Sequence, residues 1–344
     1  MQTAHSSHQQ MVPSSKLSKL SFLFNQMNSD SSHKPVKAEL PGLIRLYDDG
    51  SVERLAGSSY VPPTEQDSAT GISSKDIMIY EATGLSARLY LPKLANVSQK
   101  LPILVYFHGG GFCLESSFSF LTHRYVSSLV AEAGVMAISV EYRLAPEHYL
   151  PVAYDDCWTA LEWVASHRDH TVSKTDPWLM QHGDFDAVFV GGDSSGANIA
   201  HNMIIRAGTE DLFGGLRILG AFMSHPYFLG TKWDGPRLDL ERRIWEFVYP
   251  NAKDGIDNPL VNPLGVGAPS LAKLGCERVI VLVAGKDELR DAGVEYCDAV
   301  KRSGYEGRVE FFEVDGEGHG FHFYDTETKN AKLMIKRLAH FSKK

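Results

Sequence analysis

Five apolar runs set the limits on what this 344-residue chain can become: Ile103–Phe107, Val135–Val140, Ala187–Val190, Ile218–Met223 and Val279–Val283. Each is the length of a strand and hydrophobic without alternation, so each must be buried on both faces. Between them lie stretches with helical spacing, such as Ala153–His167, where Trp158, Leu161 and Val164 fall on one side. Buried strands separated by amphipathic helices predict an α/β fold: a mostly parallel central sheet covered by helices on both faces. Val309–Val314, a helix over Glu288–Ser303 and another over Thr328–Phe341 complete the pattern. Nearer the N-terminus, Ile44–Leu46 and Val52–Leu55 flank Asp48-Asp49-Gly50 and read as a small hairpin. Ile77–Tyr80 and Leu85–Leu91 read as two antiparallel strands.

The sharpest local signal is Gly192-Asp193-Ser194-Ser195-Gly196, placed between the third of these apolar runs, Ala187–Val190, and a helix over Ala197–Ala207. A Gly-x-Ser-x-Gly turn between strand and helix is tight enough that flanking side chains must be absent. It raises one hydroxyl, that of Ser194, beside a helix N-terminus whose free N–H groups favour negative charge. Two glycines around a serine also occur in ordinary loops, so the assignment depends on what else the chain supplies.

Three further pieces follow strands in the same way. His108-Gly109-Gly110-Gly111 comes after Ile103–Phe107, and a glycine run leaves bare N–H groups that can converge on an oxyanion. With the N–H of Ser195, the amides of Gly109, Gly110 and Gly111 form the candidate oxyanion hole. Asp287 follows Val279–Val283 and can fix the tautomer of a histidine, although it can also cap the next helix. Asp291, one turn further on, is the alternative carboxylate. His319 stands among Gly316, Gly318 and Gly320 after the last strand, with His322 as the competing base. Ser194, Asp287 and His319 therefore run in the serine, acid, histidine order of an α/β-hydrolase. The chemistry expected is acyl transfer, with His319 as base, Asp287 orienting it and Ser194 as nucleophile.

The stretch 225–272 holds six prolines, several aromatics and little periodicity. It reads as a lid above the carboxyl ends of the strands, where open α/β sheets bind ligands. Its aromatics Phe228, Trp233, Trp245, Phe247 and Tyr249 are candidates for substrate recognition, but packing is the commoner role of such residues and none is assigned to the site. The domain is assigned to 40–344, with cap contributions from about 40–75 and 225–272. Residues 1–39, rich in Ser, Gln, His and Asn toward the start, are expected to be a disordered extension.

Composition excludes several classes. Thirty-four Lys and Arg against 42 Asp and Glu give a net charge of −8, which argues against nucleic acid and anionic membranes as partners. No apolar run approaches the roughly 18–20 residues that span a bilayer. Cys113, Cys157, Cys276 and Cys297 are scattered without a Cys-x-x-Cys pair, so free thiols in a reducing compartment are expected, and no zinc site. Cytosol is the expected location. A Ser-rich, acid-poor start also suits an organelle transit peptide but lacks the usual arginines.

These residues resemble a known family. His108-Gly109-Gly110-Gly111-Phe112, Tyr142-Arg143-Leu144-Ala145-Pro146-Glu147-His148, Gly192–Asn198 and Asp287-x-Leu-x-Asp291 are similar to the plant carboxylesterases of the hormone-sensitive-lipase group. The likeness runs from about Leu40 to the C-terminus. It implies an α/β-hydrolase core with an N-terminal cap, no cofactor, and Arg143 and Glu147 as structural supports. Ser195 stands where many relatives carry alanine, and its backbone N–H serves equally. The resemblance implies a small-molecule ester as substrate. Gibberellin receptors of this family lack the catalytic histidine, whereas His319 is present here. The 2-hydroxyisoflavanone dehydratases and alkaloid cyclases of the family use the same pocket on hydroxylated aromatics, and Phe112–Ser116 and Asp156-Cys157-Trp158 are compatible with that branch.

Overall fold

The structure is a computed structural model that describes residues 34–68, 70–168, 175–233 and 235–343. Eleven strands and eight α-helices occur among them, in the order β1 (Val36–Leu40), β2 (Ile44–Tyr47), β3 (Val52–Arg54), β4 (Ser73–Tyr80), β5 (Leu85–Leu91), β6 (Leu101–Phe107), α1 (Phe120–Ala133), β7 (Met136–Glu141), α2 (Val152–Ser166), α3 (Pro177–His182), β8 (Gly183–Asp193), α4 (Ser195–Ala207), β9 (Ile218–Ser224), α5 (Asp239–Val248), β10 (Cys276–Ala284), α6 (Arg290–Arg302), β11 (Arg308–Val314), α7 (Phe321–Tyr324) and α8 (Lys329–Phe341).

β4 to β11 form one sheet in the order β11-β10-β9-β8-β6-β7-β5-β4. The six strands from β11 to β7 are parallel, and β5 and β4 add antiparallel at one edge. Both faces are covered, as the unbroken apolar runs require. Ile103, Val105 and Phe107 of β6 enter one core with Val188, Val190 and Met203, while Leu104 and Tyr106 enter the other with Val126, Leu129 and Leu338. The chain moves outward from β6 to β7, then crosses back to β8 and continues the other way. The ends of β6 and β8 therefore meet at the point where strand order reverses, the place where such sheets bind ligands.

β1 to β3 form a separate antiparallel sheet. The hairpin expected over 44–55 is β2 and β3. The extension expected over 1–39 falls outside the described residues as far as 33, and its end needs correction: residues 36–39 lie in β1, paired with β2. Val36, Ala38 and Leu40 alternate with Lys37 and Glu39, but only Leu40 of this strand is buried, and five residues are a short run on which to read a strand. Among the described residues, the lid stretch contains one α-helix, α5. Its Trp245 is fully buried, packs edge-on against Phe112 with ring centroids 6.4 Å apart and donates Nε1–H to Gly255 O at 2.9 Å. Burying a side chain of this kind contributes about 1.5–3 kcal/mol, which anchors the lid to the body.

Candidate active site

Ser194 occupies the turn from β8 into α4 with φ 55° and ψ −116°, a conformation that costs a non-glycine residue on the order of 1–3 kcal/mol. Its N–H donates to Ser224 O at 2.9 Å, and its carbonyl accepts from Tyr227 N–H at 3.1 Å and Asn198 N–H at 3.1 Å. The flanking glycines are required by contact. A Cβ on Gly196 would sit 1.9 Å from the carbonyl oxygen of Phe107, and one on Gly192 2.3 Å from the same atom. The elbow is thus pressed directly onto the end of β6.

His319 approaches from the loop between β11 and α7. Its Nε2 lies 2.9 Å from Ser194 Oγ and its Nδ1 2.8 Å from Asp287 Oδ2. Asp287 sits in the turn after β10, where its Oδ1 accepts the Leu289 N–H at 2.9 Å. The neighbouring Lys286 N–H donates to Glu317 O at 2.8 Å, tying the acid's loop to the histidine's loop. The Asp287 side chain is 1 % exposed and that of His319 35 %, so the imidazole reaches the cleft while its carboxylate partner stays dry.

Charge follows from this geometry. Burial opposes ionisation of Asp287, but the His319 charge and the hydrogen bonds from His225 and His319 outweigh it and hold the carboxyl well below its usual range. Burial likewise works against a charged His319, yet the Asp287 carboxylate prevails and raises it above the ordinary 6.5. An imidazole that bridges a hydroxyl and a buried carboxylate can take the hydroxyl proton and be stabilised as the imidazolium.

Gly109, Gly110 and Gly111 border the same cleft as Ser194 and His319. Gly110 has φ 109°, and a Cβ there would come within 2.2 Å of Leu114 O, so the loop folds back on itself as only glycine allows. Among the described residues, the amides of Gly110, Gly111 and Ser195 donate to no backbone acceptor, which leaves them available to an anion above Ser194. Arg54 of β3 binds the end of this loop: it donates Nε–H to Cys113 O at 2.8 Å and forms a bidentate pair with Glu147, both bonds at 2.7 Å. Glu115 accepts the Ser58 N–H at 2.8 Å and its hydroxyl at 2.9 Å. Arg143 is likewise paired, with Asp156 at 2.7 Å. Arg143 and Glu147 thus act as supports, in keeping with the resemblance.

The remaining candidates are sorted by the same contacts. His322 is fully buried with Nε2 2.8 Å from Asp193 Oδ1, away from the Ser194 hydroxyl that His319 holds. Asp291 is exposed and pairs with Arg290. One histidine was not anticipated: His225, directly after β9, donates Nδ1–H to Asp287 Oδ2 at 3.2 Å. His225, Asp287 and His319 each bring one ligand-type atom within 4.8 Å of the others, but both Nδ1 atoms face one carboxylate oxygen at hydrogen-bond distance, so protons fill the place a cation would take.

The cleft encloses about 250 Å³. Leu240, Glu241 and Ile244 of α5 wall it from above, with Leu43 and Gly57 from the N-terminal segment and Phe323 opposite. Among the lid aromatics, Phe228 and Trp245 are buried packing residues, the commoner role for such side chains, Trp233 donates Nε1–H to Glu295 at 3.0 Å, and α5 turns Leu240 and Ile244 to the cleft.

A family described as having the alpha/beta hydrolase fold matches residues 104–323. The chain is 53% identical over 321 residues to 2-hydroxyisoflavanone dehydratase of Glycyrrhiza echinata, covering 91% of this chain and 98% of that protein. It is 42% identical to probable carboxylesterase 2 of Arabidopsis thaliana, covering 91% and 98%. Among solved structures, an esterase of Pyrobaculum calidifontis superposes with a TM-score of 0.63 at 26% identity, covering 78% of this chain and 84% of that one. No helix among the described residues is long and apolar enough to cross a membrane.

Proposed function

The chain belongs to the plant carboxylesterase family of α/β-hydrolases, and from that premise we propose that it is a serine carboxylesterase acting on small to medium esters. The observation that carries the reading is the bridge of His319 between Ser194 at 2.9 Å and Asp287 at 2.8 Å. His319 takes the Ser194 proton as Oγ attacks the ester carbonyl. Amides of the Gly109–Gly111 run and of Ser195 receive the oxyanion, each good donor being worth roughly 10²–10³ in rate. His319 then protonates the leaving alcohol, and water releases the acyl group by the reverse sequence. The apolar walls of the cleft favour an uncharged acyl or aromatic group.

The 53% identity to a 2-hydroxyisoflavanone dehydratase favours a second reading, a lyase that removes water from a hydroxylated aromatic in plant specialised metabolism. It would use the same base and oxyanion donors. A panel of 4-nitrophenyl acetate and butyrate beside 2-hydroxyisoflavanones separates the two. The expected result is ester hydrolysis as the faster reaction; dehydration outpacing it would assign the lyase.

A pH profile follows from the charge on His319. The working form of the base is neutral, and Asp287 raises the pH at which it becomes charged. Activity is therefore lost as pH falls through a value above 6.5, and kcat/KM should climb to its plateau on the alkaline side of that value. An acid limb below 6 would contradict the His319–Asp287 pairing.

A further inference from the structure

Asp287 serves two histidines. Its Oδ2 accepts from His319 Nδ1 at 2.8 Å and from His225 Nδ1 at 3.2 Å, while Oδ1 accepts from Leu289 N–H. His225 is held firmly. It stands just beyond β9 with φ 50°, in the left-handed region, and its N–H donates to Leu282 O at 2.7 Å. Its ring lies parallel to that of His322, with centroids 5.3 Å apart and planes 13° apart, and meets His319 edge-on at 5.6 Å. His322 in turn reaches Asp193 Oδ1 at 2.8 Å, and Asp193 Oδ2 accepts the Tyr106 hydroxyl at 2.8 Å.

We propose that His225 is a positioning residue for the reaction at Ser194: it fixes the rotation of the Asp287 carboxylate. The inference rests on the reading of Ser194, His319 and Asp287 as the reactive centre.

The protonation state makes the device workable. Oδ2 can only accept, so His225 must carry its proton on Nδ1. Burial, together with the neighbouring His322 and His319, lowers the basicity of His225 despite the pull of Asp287, so the ring donates while neutral. A charged ring would offset the carboxylate and weaken its support of the His319 imidazolium. The titratable groups facing these two rings are Asp287 and Glu288 after β10, His322 after β11, and Glu241 of α5.

Removal of the donor has a signed consequence. Asp287 would keep more negative charge for His319, making the base harder to discharge, and would gain freedom to rotate. His225→Phe retains the ring stack and removes the donor. His225→Asn retains a donor where Nδ1 stood, and asparagine tolerates the left-handed backbone.

The test measures, on the full chain, the rate at which a fluorophosphonate modifies Ser194 between pH 5 and 9, with kcat and KM for 4-nitrophenyl butyrate and thermal unfolding alongside. His225→Phe is expected to slow labelling and kcat roughly 10–100-fold, the range known for losing a hydrogen-bond partner that orients a metal-binding histidine or carboxylate, with KM near the wild-type value and the acid limb moved to higher pH. His225→Asn should recover most of the rate. Wild-type labelling and an unmoved limb in His225→Phe would overturn the inference. So would equal losses in both variants, with lowered thermal stability and an unmoved limb, which is the signature of packing alone. Absence of labelling in the wild type would instead remove the reading of the centre itself, and the inference with it.

Discussion

Ser194→Ala is expected to lower hydrolysis of 4-nitrophenyl butyrate by on the order of 10⁵–10⁶-fold, the cost of removing a nucleophile whose partners work as a unit. The substitution deletes one oxygen from the edge of the cleft and leaves the turn's backbone bonds to Ser224, Tyr227 and Asn198 in place, so the folded protein should persist and bind substrate. The variant also divides the two functional readings. Ester hydrolysis through an acyl-enzyme needs a bond to Oγ, whereas elimination of water needs a base and oxyanion donors. Loss of only about tenfold, with dehydration of a 2-hydroxyisoflavanone retained, would assign the protein to the lyases; the ratio of the two rates in wild type and variant is the measurement.

Asp287→Asn should reduce kcat by about 10⁴-fold, as in sites where an amide forces the wrong histidine tautomer. Here the reason can be traced atom by atom. The carboxylate accepts three N–H bonds: two on Oδ2, from His319 and His225, and one on Oδ1, from Leu289. Asparagine offers only one acceptor. With its oxygen toward Leu289, the NH₂ group faces both rings and forces His319 to hold its proton on Nε2, where it cannot receive one from Ser194. With the oxygen toward the rings, the NH₂ group confronts the Leu289 N–H. Neither orientation satisfies the site. The acid limb should also move to lower pH, since the group that stabilised the imidazolium is gone. A kcat within tenfold of wild type would refute the role given to Asp287.

The sheet and the placement of Ser194, Asp287 and His319 were legible because both depend on short-range patterns. Buried parallel strands must be apolar throughout, and a reactive residue in such a sheet stands just past a strand's end. His225 obeys the same rule, following the Ile218–Met223 run, but it opens a proline-rich stretch that reads as one insertion. A histidine directly after a buried strand was the available signal. The cleft wall was not legible in this way. Aromatic residues in a lid can face either the body or the ligand, and tertiary packing decides: Trp245 turns inward onto Phe112, leaving Leu240 and Ile244 to the cleft. β1 escaped because its alternation of Val36, Ala38 and Leu40 with Lys37 and Glu39 spans only five residues and adjoins a Ser-, Gln- and His-rich start.

Arg54 and Ser58 have a consequence for how this fold can be divided. They lie some fifty residues before the glycine loop, outside the segment 104–323 that carries the family match. Yet they hold Cys113 and Glu115, directly after the glycine run, and Glu147. On the proposed reading the chemistry is therefore not modular: a segment holding Ser194, Asp287 and His319 would still lack the contacts that hold the loop after the Gly109–Gly111 run. Grafting the catalytic segment of one relative onto the N-terminal segment of another must preserve these contacts if the hybrid is to turn over substrate at the parental rate.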